Sequence, residues 1–143
     1  MISIIRQKKI ESKLTQRIRR YCIKILRFLN IENKNITIIL TDDKFIQKLN
    51  YDYFKKNNPT NVISFPFDED DYLGEIYISA DTAMKEAEEW EVSFFYETIY
   101  LIIHGILHLL GYDHINNEAE AEEMEIKEIE IIKGINLEKW KLK

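Results

Sequence analysis

Residues 94–110 constrain this chain most, because read as a helix they are apolar on nearly every side. Phe94, Phe95, Ile99, Leu101, Ile102, Ile103, Ile106, Leu107, Leu109 and Leu110 leave no broad polar face. A helix that is hydrophobic all round is buried, so the rest of the chain must pack around this one. The most apolar part, 99–110, carries two histidines and is too short to span a bilayer. Gly111 suits the C-terminal stop.

The other segments supply the packing partners. Ile10, Leu14, Ile18, Cys22, Ile25 and Leu29 recur at helical spacing and predict a helix over 10–29, with Arg17, Arg20, Lys24 and Arg27 on another face. Residues 36–40 are short, apolar and β-branched, which predicts a strand. Asp42 and Asp43 offer N-cap chemistry for a short helix carrying Phe45, Ile46 and Leu49. Residues 57–61 read as a loop, 62–65 as a strand ended by Pro66, 68–71 as an acidic loop, and 76–78 as a third strand. Ser79 or Asp81 caps a helix through Glu89, and a last helix over 118–133 is acidic outside, with Ala121, Met124, Ile129 and Ile132 inside. Strands come early and helices cluster late, which predicts an α+β fold: a small mixed β-sheet packed against helices, with 94–110 central. The 143 residues fit one domain, 1–143, without linker or repeat.

Charge is divided unevenly. Residues 1–60 hold 14 Lys and Arg against 5 Asp and Glu, whereas 61–143 hold 6 against 20. Either these are solvated faces of surface helices, or one basic face binds phosphates by counterion release despite the net charge of −5. One cysteine, Cys22, excludes an internal disulfide and a thiolate metal cage. The N-terminal residues lack the apolar core and cleavage site of a signal peptide, so a soluble cytoplasmic protein with no membrane partner is expected.

All three histidines, His104, His108 and His114, fall within eleven residues. His104 and His108 are one turn apart on one helix face, so both imidazoles can reach one ion. Continued helix would carry His114 to another face, about 9 Å further along the axis. Gly111 permits a positive φ, which lets the chain turn back. Three neutral nitrogens with one open position suit a catalytic zinc, one per chain. A lone core histidine is ordinarily hydrogen-bonded and structural, but burying three unpaired costs several kcal/mol, on the order of 1–3 kcal/mol each. The spacing equals that of zinc proteases with the pattern His-Glu-x-x-His-x-x-Gly-x-x-His, except that Gly105 stands where their general base is glutamate. Glycine takes no proton, so peptidase activity is excluded. Asp113 either orients a ligand imidazole or caps the helix end, the latter being favoured by spacing.

The run His104-Gly-x-Leu-His-Leu-x-Gly-Tyr-Asp-His114 resembles the signature of the YbeY family of metal-dependent endoribonucleases. Leu49-Asn50-x-x-Tyr53, the stretch from Pro59 to Pro66, Leu73-Gly74-Glu75-Ile76 and the acidic start of the last helix are similar to further blocks of that family. The resemblance implies a single-strand endoribonuclease that matures the 3′ end of small-subunit ribosomal RNA and acts in ribosome quality control. It also implies zinc on the three histidines at the floor of a cleft. The family's Tyr-Arg, whose arginine is held to act on the RNA phosphate, is here Tyr53-Phe54, and Asn57 stands where aspartate is usual. Lys55 and Lys56 are the nearest replacement cations, although an ammonium lacks the guanidinium fork. Phe54, Lys55, Lys56, Asn61 and Ser64 are the candidate substrate-binding residues; for Asn61 and Ser64, structural roles in turn and strand compete. Glu75 is either a general base or an exposed strand carboxylate, the latter favoured, and Glu97, two helical turns before His104, reads as structural. Two other classes stay open: a zinc-bearing RNA-binding or ribosome-assembly factor with little nuclease activity, raised by Phe54, and a metallohydrolase acting on a small phosphoester.

Overall fold

The computed structural model describes residues 1–113 and 117–142. The elements run β1 (Ile2–Arg6), α1 (Ser12–Phe28), β2 (Asn35–Thr41), α2 (Asp43–Phe54), β3 (Val62–Glu69), β4 (Tyr72–Ser79), α3 (Ala80–Trp90), α4 (Phe94–Leu109) and α5 (Glu118–Gly134), followed by a 3-10 turn, Leu137–Trp140. The four strands form one mixed sheet in the order β1-β2-β4-β3. β1 and β4 run parallel to β2, and β3 pairs antiparallel with β4. The fold is α+β, as expected, with α4 at its centre.

Period-2 alternation explains the sheet's inner face. Ile36, Ile38 and Leu40 of β2 and Ile76 and Ile78 of β4 are buried with Ile99, Ile102, Ile103 and Ile106 of α4 and with Ile18, Cys22 and Ile25 of α1. Each such isoleucine contributes about 1.5–3 kcal/mol by leaving water. Ser93 caps α4: its hydroxyl accepts from the Tyr96 N–H at 3.0 Å and donates to the Trp140 carbonyl at 2.5 Å. That second bond ties the C-terminal turn to the start of the central helix. Among the described residues no single helix is long and apolar enough to cross a membrane.

Several expectations need correction. β1 was not anticipated; only Ile2 of its five residues is buried, and it exists by pairing with β2, a partner more than thirty residues away in sequence. β3 does not end at Pro66 but continues to Glu69, taking up part of the expected acidic loop. It is the outer strand of the sheet, where a missing N–H is tolerated. On α5 the inward residues are Met124, Glu128, Ile131 and Ile132, whereas Ile129 is exposed. Ser79, not Asp81, caps α3; the Asp81 carboxylate instead accepts the Asp43 N–H and pairs with Lys8.

Candidate functional site

Along α4, Tyr96, Tyr100, His104 and His108 form a stripe at steps of four that stays partly open to solvent, while nearly everything else from Phe95 to Leu109 is buried. The two imidazoles share its C-terminal end. Their rings lie 4.6 Å apart, steeply inclined, with the Nε2 atoms facing each other at 3.1 Å. The Nδ1 of His104 lies 2.8 Å from Oε2 of Glu128, a buried carboxylate on α5. That carboxylate accepts, so the His104 Nδ1 donates to it and the ring's Nε2 is turned toward His108. Two nitrogens on one tetrahedral zinc, each ~2.0–2.1 Å from it, stand roughly 3.3 Å apart. The observed spacing, the two imidazole nitrogens turned to one point and the carboxylate behind one of them fit such a cation.

The helix ends in a glycine turn, as the sequence predicts. Gly111 has φ 100°, and the N–H groups of Gly111 and Tyr112 donate to the carbonyls of His108 and Leu107, both at 3.0 Å. This is a Schellman turn, which redirects the chain just before Asp113. His114 lies outside the described residues, and among the described residues no three His, Cys, Asp or Glu side chains gather as a metal site.

Gly105 has a packing reason. A Cβ there would lie 2.8 Å from Cγ2 of Ile76 and 3.0 Å from Oγ of Ser64. Ser64 Oγ donates to the Gly105 carbonyl at 3.1 Å. The position where the zinc proteases carry their glutamate is therefore pressed against the sheet. The Ser64 hydroxyl proton serves the contact between β3 and α4. The Asn61 amide likewise donates to both carboxylate oxygens of Glu86 on α3, at 3.2 and 3.1 Å. Beside that carboxylate lies Glu97 of α4, only 6% exposed. Burial, reinforced by Glu86, pushes the Glu97 carboxyl up to about 8.

Phe54 closes α2 and stacks nearly parallel on Phe65 of β3, ring centres 6.4 Å apart. Strand alternation turns Phe65 to the sheet face opposite Ser64, so this ring pair does not face Gly105. Lys55 is the left-handed C-cap of α2, with its ammonium 5.7 Å from the Tyr51 ring, and Lys56 is exposed beside it. Buried Asn50 holds the following loop through a 2.9 Å bond from its amide to the Asn58 carbonyl. On α1, Arg17 is not a free surface cation: its guanidinium lies 4.1 Å from the Trp140 ring and 5.4 Å from that of Phe95.

Sequence reasoning missed Glu128. It was hidden among seven glutamates on α5, all read as a solvated face. The available signal was its spacing, because Met124, Glu128 and Ile131 share one side of that helix.

A family model described as "Endoribonuclease YbeY" matches residues 2–136. Among curated relatives, a protein named Endoribonuclease YbeY from Geobacter sulfurreducens is 41% identical over 91% of this chain and 92% of its own length. Its namesake from Persephonella marina is 47% identical over 78% and 77%. A solution structure of a Thermotoga maritima protein is similar at TM-score 0.70 and 31% identity, covering 94% of this chain and 89% of that one. By the histidine stripe, its glycine turn and these likenesses, the chain belongs to the YbeY endoribonuclease family.

Proposed function

We propose that this protein is a zinc-dependent endoribonuclease that cuts single-stranded RNA in maturing the 3′ end of small-subunit ribosomal RNA and in ribosome quality control. The observation that carries the reading is the facing pair of imidazole nitrogens at 3.1 Å, backed by the buried carboxylate of Glu128 on α5. His104, His108 and His114 would hold the ion, whose chemistry at such a site is Lewis-acid polarisation of a phosphoryl oxygen. Glu128 fixes the plane of the His104 ring and holds its Nδ1, so that Nε2 is turned toward His108. Lys55 and Lys56 are the candidates for holding the RNA phosphates. The burial of α4 on every side but the histidine stripe keeps this machinery on a rigid support.

The test is metal analysis of purified protein followed by cleavage of a ribosomal RNA precursor, with and without chelator. One zinc per chain, lost in His104→Ala and in His108→Ala together with cleavage, is the expected result. Full zinc occupancy in a His104/His108 double variant refutes the site.

One observation favours a second reading. Where the family resemblance leads to an arginine, Phe54 makes an aromatic stack with Phe65. Without a preorganised guanidinium, transition-state charge is stabilised less, at a cost of about 10²–10³ in rate. The protein would then act chiefly as a zinc-bearing RNA-binding or assembly factor. Phe54→Arg separates the two: on the nuclease reading it speeds cleavage with unchanged zinc content. If neither form cuts RNA while zinc is fully bound, the assembly-factor reading replaces the first.

A further inference from the structure

The outer face of β3 and the end of α2 carry a continuous run of rings. Phe45 stacks on Tyr77 at 6.1 Å, Tyr77 meets the edge of Phe65 at 5.8 Å, and Phe65 supports both Tyr53 at 4.9 Å and Phe54 at 6.4 Å. The run ends in solvent, with Tyr53 64% and Phe54 49% exposed. Large rings left in water forfeit transfer free energy, and here they are also held in place. The Asn50–Asn58 bond, a 3.1 Å contact from the Gln47 amide to the Asn57 side chain, and the left-handed cap at Lys55 fix the backbone on both sides.

The charges nearby identify what such rings suit. Lys48, Lys55 and Lys56 are exposed along this end of α2, with Asp52 the one acid in its last two turns. On the histidine side of the sheet stands α5, with seven glutamates against two lysines. A polyanion is repelled along α5 and attracted along α2. Exposed π-faces beside lysines are the two components of single-strand nucleic-acid binding: bases stack on the rings and phosphates follow the cations.

We propose that Phe54, backed by Phe65 and flanked by Tyr53, is a base-stacking platform for single-stranded RNA, with the phosphates running along Lys55 and Lys56. This rests on the RNA reading above and deepens it, because the platform lies on the sheet face turned away from Gly105 and α4. RNA reaches the histidines from this platform only by passing around the edge strand β3. The platform selects unpaired bases on the strand that then passes round β3 to the histidines, and position 54 meets a phosphate of that same strand.

The test uses full-length, zinc-loaded protein and a labelled single-stranded RNA beside the same sequence as a duplex. Phe54→Ala is expected to weaken single-strand binding roughly 5- to 150-fold, the range for one stacked base, and to leave duplex binding as it was. Phe54→Trp should restore binding, and its added indole emission should be quenched by the single strand. Equal single-strand affinity of wild type and Phe54→Ala, with RNA still bound and cut, overturns the platform and leaves the nuclease reading standing. Absence of any RNA binding or cleavage by fully loaded wild type overturns both. A wild type that self-associates in sedimentation, beside a monomeric Phe54→Ala, assigns the rings to a second copy of the chain and also overturns the proposal.

Discussion

Ser64 and Phe65 are neighbours in β3 and face opposite sides of the sheet, and the two sides follow different rules. On the Ser64 side, α4 is closed in by β3, β4, α1, α3 and α5, and the polar groups described there have partners: Ser64 with the Gly105 carbonyl, Asn61 with Glu86, His104 with Glu128. On the Phe65 side Ile39, Ile46, Ile63 and Asn50 are buried, but the rings of Tyr53 and Phe54 and the lysines at the end of α2 stand in water. A buried polar group without its partner carries a full desolvation penalty, whereas an exposed one does not. Changes on the first side should therefore register in folding or metal affinity. Changes at the exposed rings and lysines of the second should register chiefly in ligand binding.

Gly105→Glu tests this division most severely. The new Cβ meets Ile76 and Ser64, and the carboxylate is forced into an apolar contact. Overpacking together with an unpaired buried charge predicts a loss of about 3 kcal/mol or more, measured by urea unfolding. A stable Gly105→Glu protein would show that α4 is less tightly held to the sheet than its contacts require.

Glu128→Gln keeps the shape and removes the anionic acceptor behind His104. Metal affinity should fall about 10- to 100-fold in competition with a chelator, while the fold persists. Unchanged affinity would mean that the 2.8 Å contact only ties α5 to α4.

Glu97 supplies a pH signature for the same side. Its carboxyl is raised from 4.5 to about 8 by burial and by Glu86. Between those values the unfolded chain has lost the proton that the folded protein keeps, so the contribution of Glu97 to stability is fullest below 4.5 and declines as pH rises to about 8. Glu97→Gln should flatten the melting temperature across that window. An equally steep profile in the variant would assign the slope to other groups.

The smallest effect belongs to the other side. Phe54→Ser should cost about 1 kcal/mol of unfolding free energy, the worth of a half-exposed ring and its stack on Phe65. A loss of several times that amount would make the ring run a part of the core, and the distinction between the two faces would fail.

The central helix, the paired histidines and the glycine turn were legible in the sequence because each depends on local geometry. An all-apolar 3.6-residue period requires burial, a step of four aligns two side chains, and glycine alone takes φ 100° without strain. β1, the continuation of β3 past Pro66, and the inward turn of Glu128 were not legible. β1 forms by pairing with β2, β3 passes a proline because it is the outer strand, and Glu128 is buried because His104 meets it there. The same holds for Phe54, whose residue type is plain in the sequence but whose parallel partner, Phe65, is supplied by the return of β3 beside the end of α2. Local periodicity specifies what a residue contributes to its own helix or strand. The partner across an interface is chosen only when distant segments pack, since that choice depends on loop closure and on which polar groups must be satisfied together.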